Sequence, residues 1–110
     1  MKWFTLNENK EINLFKELKP FTKESKVIFH IGTDAQARGT KAADFVTVVC
    51  VHMIDKYGVG KGGRVFFWKD KNIPTRNLWE KLYGETERSL RVATQLTEEF
   101  SYDIAIREDI

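Results

Sequence analysis

The sequence predicts one α/β domain built on a mixed sheet, and three observations carry that prediction. First, three β-prone segments lie close together at residues 27–33, 45–54 and 64–69. Second, a single long amphipathic stretch follows at residues 75–100. Third, a short alternating segment, residues 102–110, comes after it. The first three strands are joined by links short enough for an antiparallel meander. A helical crossover then returns the fourth strand parallel to the first, with the right-handed sense such connections take. The predicted sheet order is 3-2-1-4 in the numbering of these predicted strands.

Taken in order, residues 9–18 place Ile12, Phe15 and Leu18 at helical spacing, and Pro20 is expected to end that helix. Residues 23–26 are a polar break. Residues 27–33 are nearly continuous apolar sequence, which predicts a central strand covered on both faces. The run closes on Gly32-Thr33-Asp34, so the strand is expected to carry Asp34 at its end. Residues 35–44 contain Gly39 and Thr40 and read as a connection. Residues 45–54 are β-branched and aromatic enough for the second strand. Gly58, Gly60, Gly62 and Gly63 mark a hairpin loop over residues 57–63. The third strand covers residues 64–69, and residues 72–76, with Pro74, turn the chain into the helix.

With Leu78 at 0°, Leu82, Ala93, Leu96 and Phe100 fall between about 0° and 60°, Trp79 and Leu90 near 100–120°, and Val92 near −40°. These residues predict one broad apolar face. Glu85 lies inside or beside it, near −20°, while Glu87 lies near 180° and reads as a solvated carboxylate. Glu85 therefore needs a reason for its position. With the fourth strand beside the first, Asp34 and Asp109 both fall at carboxyl ends of adjacent parallel strands, where open α/β sheets place their sites.

A chain of 110 residues, 42% apolar and 31% charged, is long enough for one modest core and is not a disordered tail. The net charge of +2 hides an asymmetry. From residue 56 to 76 there are six bases (Lys56, Lys61, Arg64, Lys69, Lys71, Arg76) against one acid, Asp70. From residue 97 to 110 there are five acids against one base. The single cysteine, Cys50, reads as a small buried hydrophobe of a cytoplasmic protein. No stretch approaches the ~20 apolar residues of a membrane span.

Several segments of the chain carry a resemblance. They are Ile31-Gly32-Thr33-Asp34-Ala35-Gln36, Phe45-Val46-Thr47-Val48, Gly60-Lys61-Gly62-Gly63-Arg64-Val65-Phe66 and Glu85-Thr86-Glu87-Arg88-Ser89-Leu90, with Ile106-Arg107-Glu108-Asp109-Ile110 at the end. In this order they resemble the bacterial ribonuclease H-like family typified by YkuK, whose members are predicted nucleases. Ala35 departs from the family's usual Ser. Family members also continue past this point, so the domain is expected to lack the C-terminal part of the fold and the fourth ligand that part commonly supplies.

The resemblance implies metal-dependent cleavage of phosphodiester bonds in nucleic acid, RNA or an RNA/DNA hybrid being favoured. Asp34, Glu85 and Asp109 are the implied catalytic and metal-binding residues, with Mg²⁺ or Mn²⁺ as cofactor. Such ions prefer hard oxygen ligands, and converging carboxylates repel each other without one. The six bases of residues 56–76 are the expected nucleic-acid contacts. The competing class is a non-catalytic nucleic-acid-binding or assembly module that keeps the fold. In that case Asp34 only turns the chain, Glu85 reaches solvent and Asp109 is a surface charge.

Other features have bland readings. The glycine loop lacks the Gly-Lys-Ser/Thr before a helix that a Walker loop needs. Phe66, Phe67 and Trp68 are candidates for base stacking, but strand alternation puts part of the trio in the core. His30 and His52 read as packed histidines. Finally, an apolar fourth strand (Ile104, Ala105, Ile106) at a sheet edge predicts a homodimer that covers it or the sheet face beside it.

Overall fold

The computed structural model describes residues 1–24, 26–100 and 105–108. Six strands and two helices follow one another as β1 (Trp3–Thr5), β2 (Glu11–Ile12), α1 (Leu14–Glu24), β3 (Lys26–Arg38), β4 (Ala42–Ile54), β5 (Gly60–Pro74), α2 (Leu78–Phe100) and β6 (Ala105–Glu108). They form one sheet in the order β2-β1-β5-β4-β3-β6. β3, β4 and β5 are successive antiparallel neighbours. β6 lies beside β3 and parallel to it, with Ile28 opposite Ala105 and Ile31 opposite Glu108.

The core sits on one face of this sheet. Val27, Phe29 and Ile31 of β3, Val49 and Val51 of β4, and Phe66 and Trp68 of β5 pack against Leu14 and Leu18 of α1 and Val92, Ala93 and Leu96 of α2. Every second strand residue supplies this face, as the pleat requires. The other face carries Ile28, His30, Val46, Val48, Cys50 and Phe67, all half-buried. Among the described elements, helices cover β3 on one face rather than both. Its apolar run is continuous in sequence, but His30 and Gly32 belong to the second set.

Five expectations about elements need correction. The N-terminal helix starts at Leu14, not at residue 9, because the Asn13 carboxamide accepts the Lys16 amide at 3.2 Å and caps the helix there. It runs through Pro20 to Glu24. Pro20 and Lys16 both face solvent, so the carbonyl that loses its partner remains hydrated. The residues before it form β1 and β2 instead. β1 is anchored by Trp3, which lies opposite Trp68 with ring centroids 6.1 Å apart.

The connection expected at residues 35–44 is mostly strand. β3 continues to Arg38, turns at Gly39 (φ 65°), and β4 begins at Ala42. Buried Asp44 makes this polar extension possible. Its carboxylate accepts Arg38 Nε at 2.7 Å and the Asn72 amide at 2.8 Å, tying β3, β4 and β5 together. Asn72 there takes φ 56°, a left-handed conformation that Asn tolerates.

The long helix begins at Leu78 rather than residue 75. The Thr75 amide is held by the Lys41 carbonyl at 2.8 Å, and Asn77 caps the helix by accepting the Glu80 amide at 3.0 Å. Its inner face also differs from the one expected. Gly84, Arg88, Ser89, Val92, Ala93 and Leu96 are buried, whereas Leu78, Trp79, Leu82 and Leu90 are exposed. The glycine loop is shorter than expected, since β5 starts at Gly60; the Asp55 carboxylate closes the turn by accepting the Tyr57 and Val59 amides.

Candidate functional site

Asp34 sits within β3, four residues before its end, and is exposed. Its neighbour Thr33 is buried against α2, so alternation turns Asp34 to the open face of the sheet. In register, Asp34 lies opposite Val46, and Val46 opposite Lys69. Asp34 and Lys69 therefore share one row of that face.

Glu85 has the reason its position demanded. Its Oε2 accepts the backbone amide of Ala35 at 3.2 Å. A carboxylate from α2 thus closes on the main chain immediately after Asp34. Asp109 lies outside the described residues. Among the described residues no group of three or more His, Cys, Asp and Glu side chains could hold a metal ion.

Two buried devices hold α2 in this register. Thr33 Oγ1 lies 3.0 Å from Thr47 Oγ1 and 2.8 Å from Ser89 Oγ, one hydroxyl chain across β4, β3 and α2. Beside it, Arg88 donates to Asp70 Oδ2 from Nε at 3.1 Å and from Nη2 at 2.7 Å, and to the Gly84 carbonyl at 3.1 Å. Its guanidinium lies 4.0 Å from the Phe45 ring centroid. Sequence reading missed both. One signal was present: Asp70 is the only acid among the six bases of residues 56–76, and its partner is a buried arginine of the helix.

Asp44 is held below the usual aspartate range. The Asn72 amide is the main cause, and the Arg38 guanidinium adds to it. Glu80 is likewise lowered, first by the backbone amide of Arg76 and then by that residue's side chain.

The six expected basic contacts fall into two groups. Lys69 and Lys71 are exposed at the Asp34 end of β5, and Arg76 is exposed just beyond it, paired with Glu80. Arg64 is opposite Val51, which is opposite Phe29, five residues along β3 from Asp34; at about 3.4 Å per residue that is roughly 17 Å away. Lys56 lies in the turn beyond it, and the side chain of Lys61 is outside the described set. Phe66 and Trp68 are buried, and half-buried Phe67 stacks on Phe4 at 5.7 Å. His30 and His52 are half-buried, with ring centroids 6.3 Å apart. No helix among the described residues is long and apolar enough to cross a membrane.

A central antiparallel meander and a helix returning to a strand beside β3, with Glu85 at the point where that helix meets β3, make an α/β domain of a nuclease-like fold. The chain matches the family model described as Ribonuclease H-like over residues 13–109, and it belongs to that family. Comparison with curated proteins and with solved structures gives no match.

Proposed function

We propose that this domain is a metal-dependent nuclease-like module acting on phosphodiester bonds of nucleic acid, RNA or an RNA/DNA hybrid being the favoured substrate. The observation that carries the reading is the Glu85 carboxylate on the Ala35 amide, one residue from Asp34. Glu85 reaches this stretch from the helix face and Asp34 leaves it on the open face, so the two acids flank one point of β3 from opposite sides, in a family built on this fold.

The donors suit a hard divalent cation. Asp34 is an exposed carboxylate, and Glu85 commits Oε2 while Oε1 remains available among the described residues. In this reading a Mg²⁺ or Mn²⁺ ion would sit at the edge of β3, held by Asp34 from the open face, by Glu85 from the helix face and by Asp109. Bound there, the metal supplies Lewis acidity toward the phosphate and a more acidic water. Glu85 keeps its orientation through Ala35, and Lys69 and Lys71 attract the backbone phosphates toward the Asp34 end of the sheet.

The test is Mn²⁺ binding by calorimetry, alongside cleavage of end-labelled RNA, DNA and hybrid. Asp34→Asn and Glu85→Gln are expected to weaken metal binding at least tenfold and to abolish metal-dependent cleavage. A folded wild-type protein that neither binds Mn²⁺ nor cuts any of these substrates overturns the reading.

The same hydrogen bond favours a second reading, a non-catalytic nucleic-acid-binding or assembly module in which Glu85 only satisfies a strand amide. There, Glu85→Gln changes nothing measurable, because the amide oxygen still accepts from Ala35. The variant therefore separates the two.

A further inference from the structure

On the flank of α2 away from Glu85 lies a groove of about 750 Å³, within the range of roughly 300–1,000 Å³ typical of small-ligand sites. Trp79 and Tyr83 wall it on the helix side, Phe45 and Arg88 line it deeper, and Thr75 and Arg76 border it from the chain leaving β5. Two features of this wall are out of keeping with a surface that faces only water. Trp79 and Tyr83, four residues apart on one side of the helix, are 79% and 72% exposed. Thr75 is 3% exposed, and among the described residues its hydroxyl is the one buried side-chain polar atom without a hydrogen-bond partner. A buried unmade hydrogen bond costs about 1–3 kcal/mol, so the site has an unmet demand for a polar partner.

The charges of the wall decide the ligand class. Arg76 is paired with Glu80, and Arg88 with Asp70 and, more distantly, Glu87. Each cation is already balanced, so a phosphate would have to break a pair to bind. A neutral, planar, hydrogen-bonding heterocycle needs no such exchange. It stacks on exposed aromatic rings and can satisfy a hydroxyl.

The groove is also near the proposed reaction centre. Phe45 pairs in register with Ala35, whose amide holds Glu85, and Gly84 in the groove wall precedes Glu85 in the helix. We infer that this groove is a nucleobase subsite, where an unpaired base of a single-stranded segment stacks on Trp79 and Tyr83 while its backbone continues toward Glu85 and the Ala35 end of β3. The inference rests on the nucleic-acid reading above and extends it: the domain would engage substrate through a base, not only through phosphates.

Trp79 provides a direct readout, because the two other tryptophans, Trp3 and Trp68, are buried at 4% and 7% exposure. Emission should be titrated with a short single-stranded oligonucleotide, with the same strand carrying abasic sites, and with a blunt duplex. The intact strand is expected to quench Trp79 and to bind roughly tenfold tighter than the abasic strand. Trp79→Ala and Tyr83→Ala, followed by labelled-strand anisotropy, should each weaken the intact strand by about tenfold and leave the abasic strand unchanged. Thr75→Val should weaken it about threefold without lowering stability, since the lost hydroxyl had no partner in the free protein.

If intact and abasic strands bind equally and Trp79→Ala has no effect, the subsite is overturned while the nucleic-acid reading stands. If no strand binds at low salt, both fall. If Trp79 emission shifts with protein concentration and not with nucleic acid, the flank belongs to a second copy of the chain, and the subsite is likewise overturned.

Discussion

The guanidinium of Arg88 stacks on the ring of Phe45 at 4.0 Å while gripping Asp70 through two nitrogens. One side chain thereby ties α2 to both β4 and β5. Gly84 makes the approach possible: a Cβ there would meet the Phe45 ring at 2.6 Å and Arg88 Nη1 at 3.1 Å.

Gly84→Ala tests this fit. Alanine favours a helix by about 1 kcal/mol over glycine. Overpacking against a fully buried ring costs about 1–3 kcal/mol. The ring and the arginine are both held by neighbours, so the steric term should win and urea denaturation should show a net loss. Arg88→Lys should also destabilise, by about 2 kcal/mol, because an ammonium can neither fork to the carboxylate nor lie flat on the ring.

In the hydroxyl chain the middle member matters most. Thr33→Val takes from the buried hydroxyls of Thr47 and Ser89 the partner they share, whereas Ser89→Ala leaves the Thr33–Thr47 pair intact. The expected losses are about 2–3 kcal/mol for the first and about 1 kcal/mol for the second. Equal losses by thermal unfolding would show that the chain does not act as a unit.

Asp44 predicts an acid-sensitive hairpin. Its pKa is lowered in the folded state, so its contribution is fully present above the ordinary value of 3.8 and is lost as pH falls through the depressed folded value. The stability difference between wild type and Asp44→Asn should be constant near neutral pH and shrink only below about pH 4. Amide exchange of Asn72, whose N–H the carboxylate accepts, should accelerate over the same interval.

How far could these features be read from the residues? The meander was visible because β3, β4 and β5 are dense in Val, Ile and Phe. Glu85 was visible as an acid on an inner helix face. The rest was hidden for definite reasons. Hydropathy put Leu78, Trp79 and Leu82 inside, yet α2 faces the sheet with Gly84, Arg88 and Ser89, residues whose burial depends on a ring, a carboxylate and two threonines supplied by distant strands. The extension of β3 beyond Asp34 rests on Asp44 holding Arg38 and Asn72, a polar device that no apolar periodicity reports. β1 and β2 are too short to show a period at all.

The open sheet face gives a prediction about assembly. Val46, Val48 and Phe67 are only half-buried there, and no described element packs over them. A homodimer through this face is expected, dissociating when Val48 or Phe67 is changed to Lys. Sedimentation at several concentrations checks it; a monomer throughout, with both variants behaving like wild type, would refute it.

The Glu85 hydrogen bond has one more effect. Among the described residues β6 pairs with β3 up to Ile31 opposite Glu108, and four residues beyond Ile31 the Ala35 amide is occupied by a side chain of the same molecule. A strand edge ordinarily offers a continuous ladder to whatever chain comes near. Here one rung is filled from within, so a strand annealing along β3 must halt before Ala35 or evict a carboxylate. The helix thereby limits how far a strand can zip along β3, and Glu85 acts as a stop against runaway sheet growth.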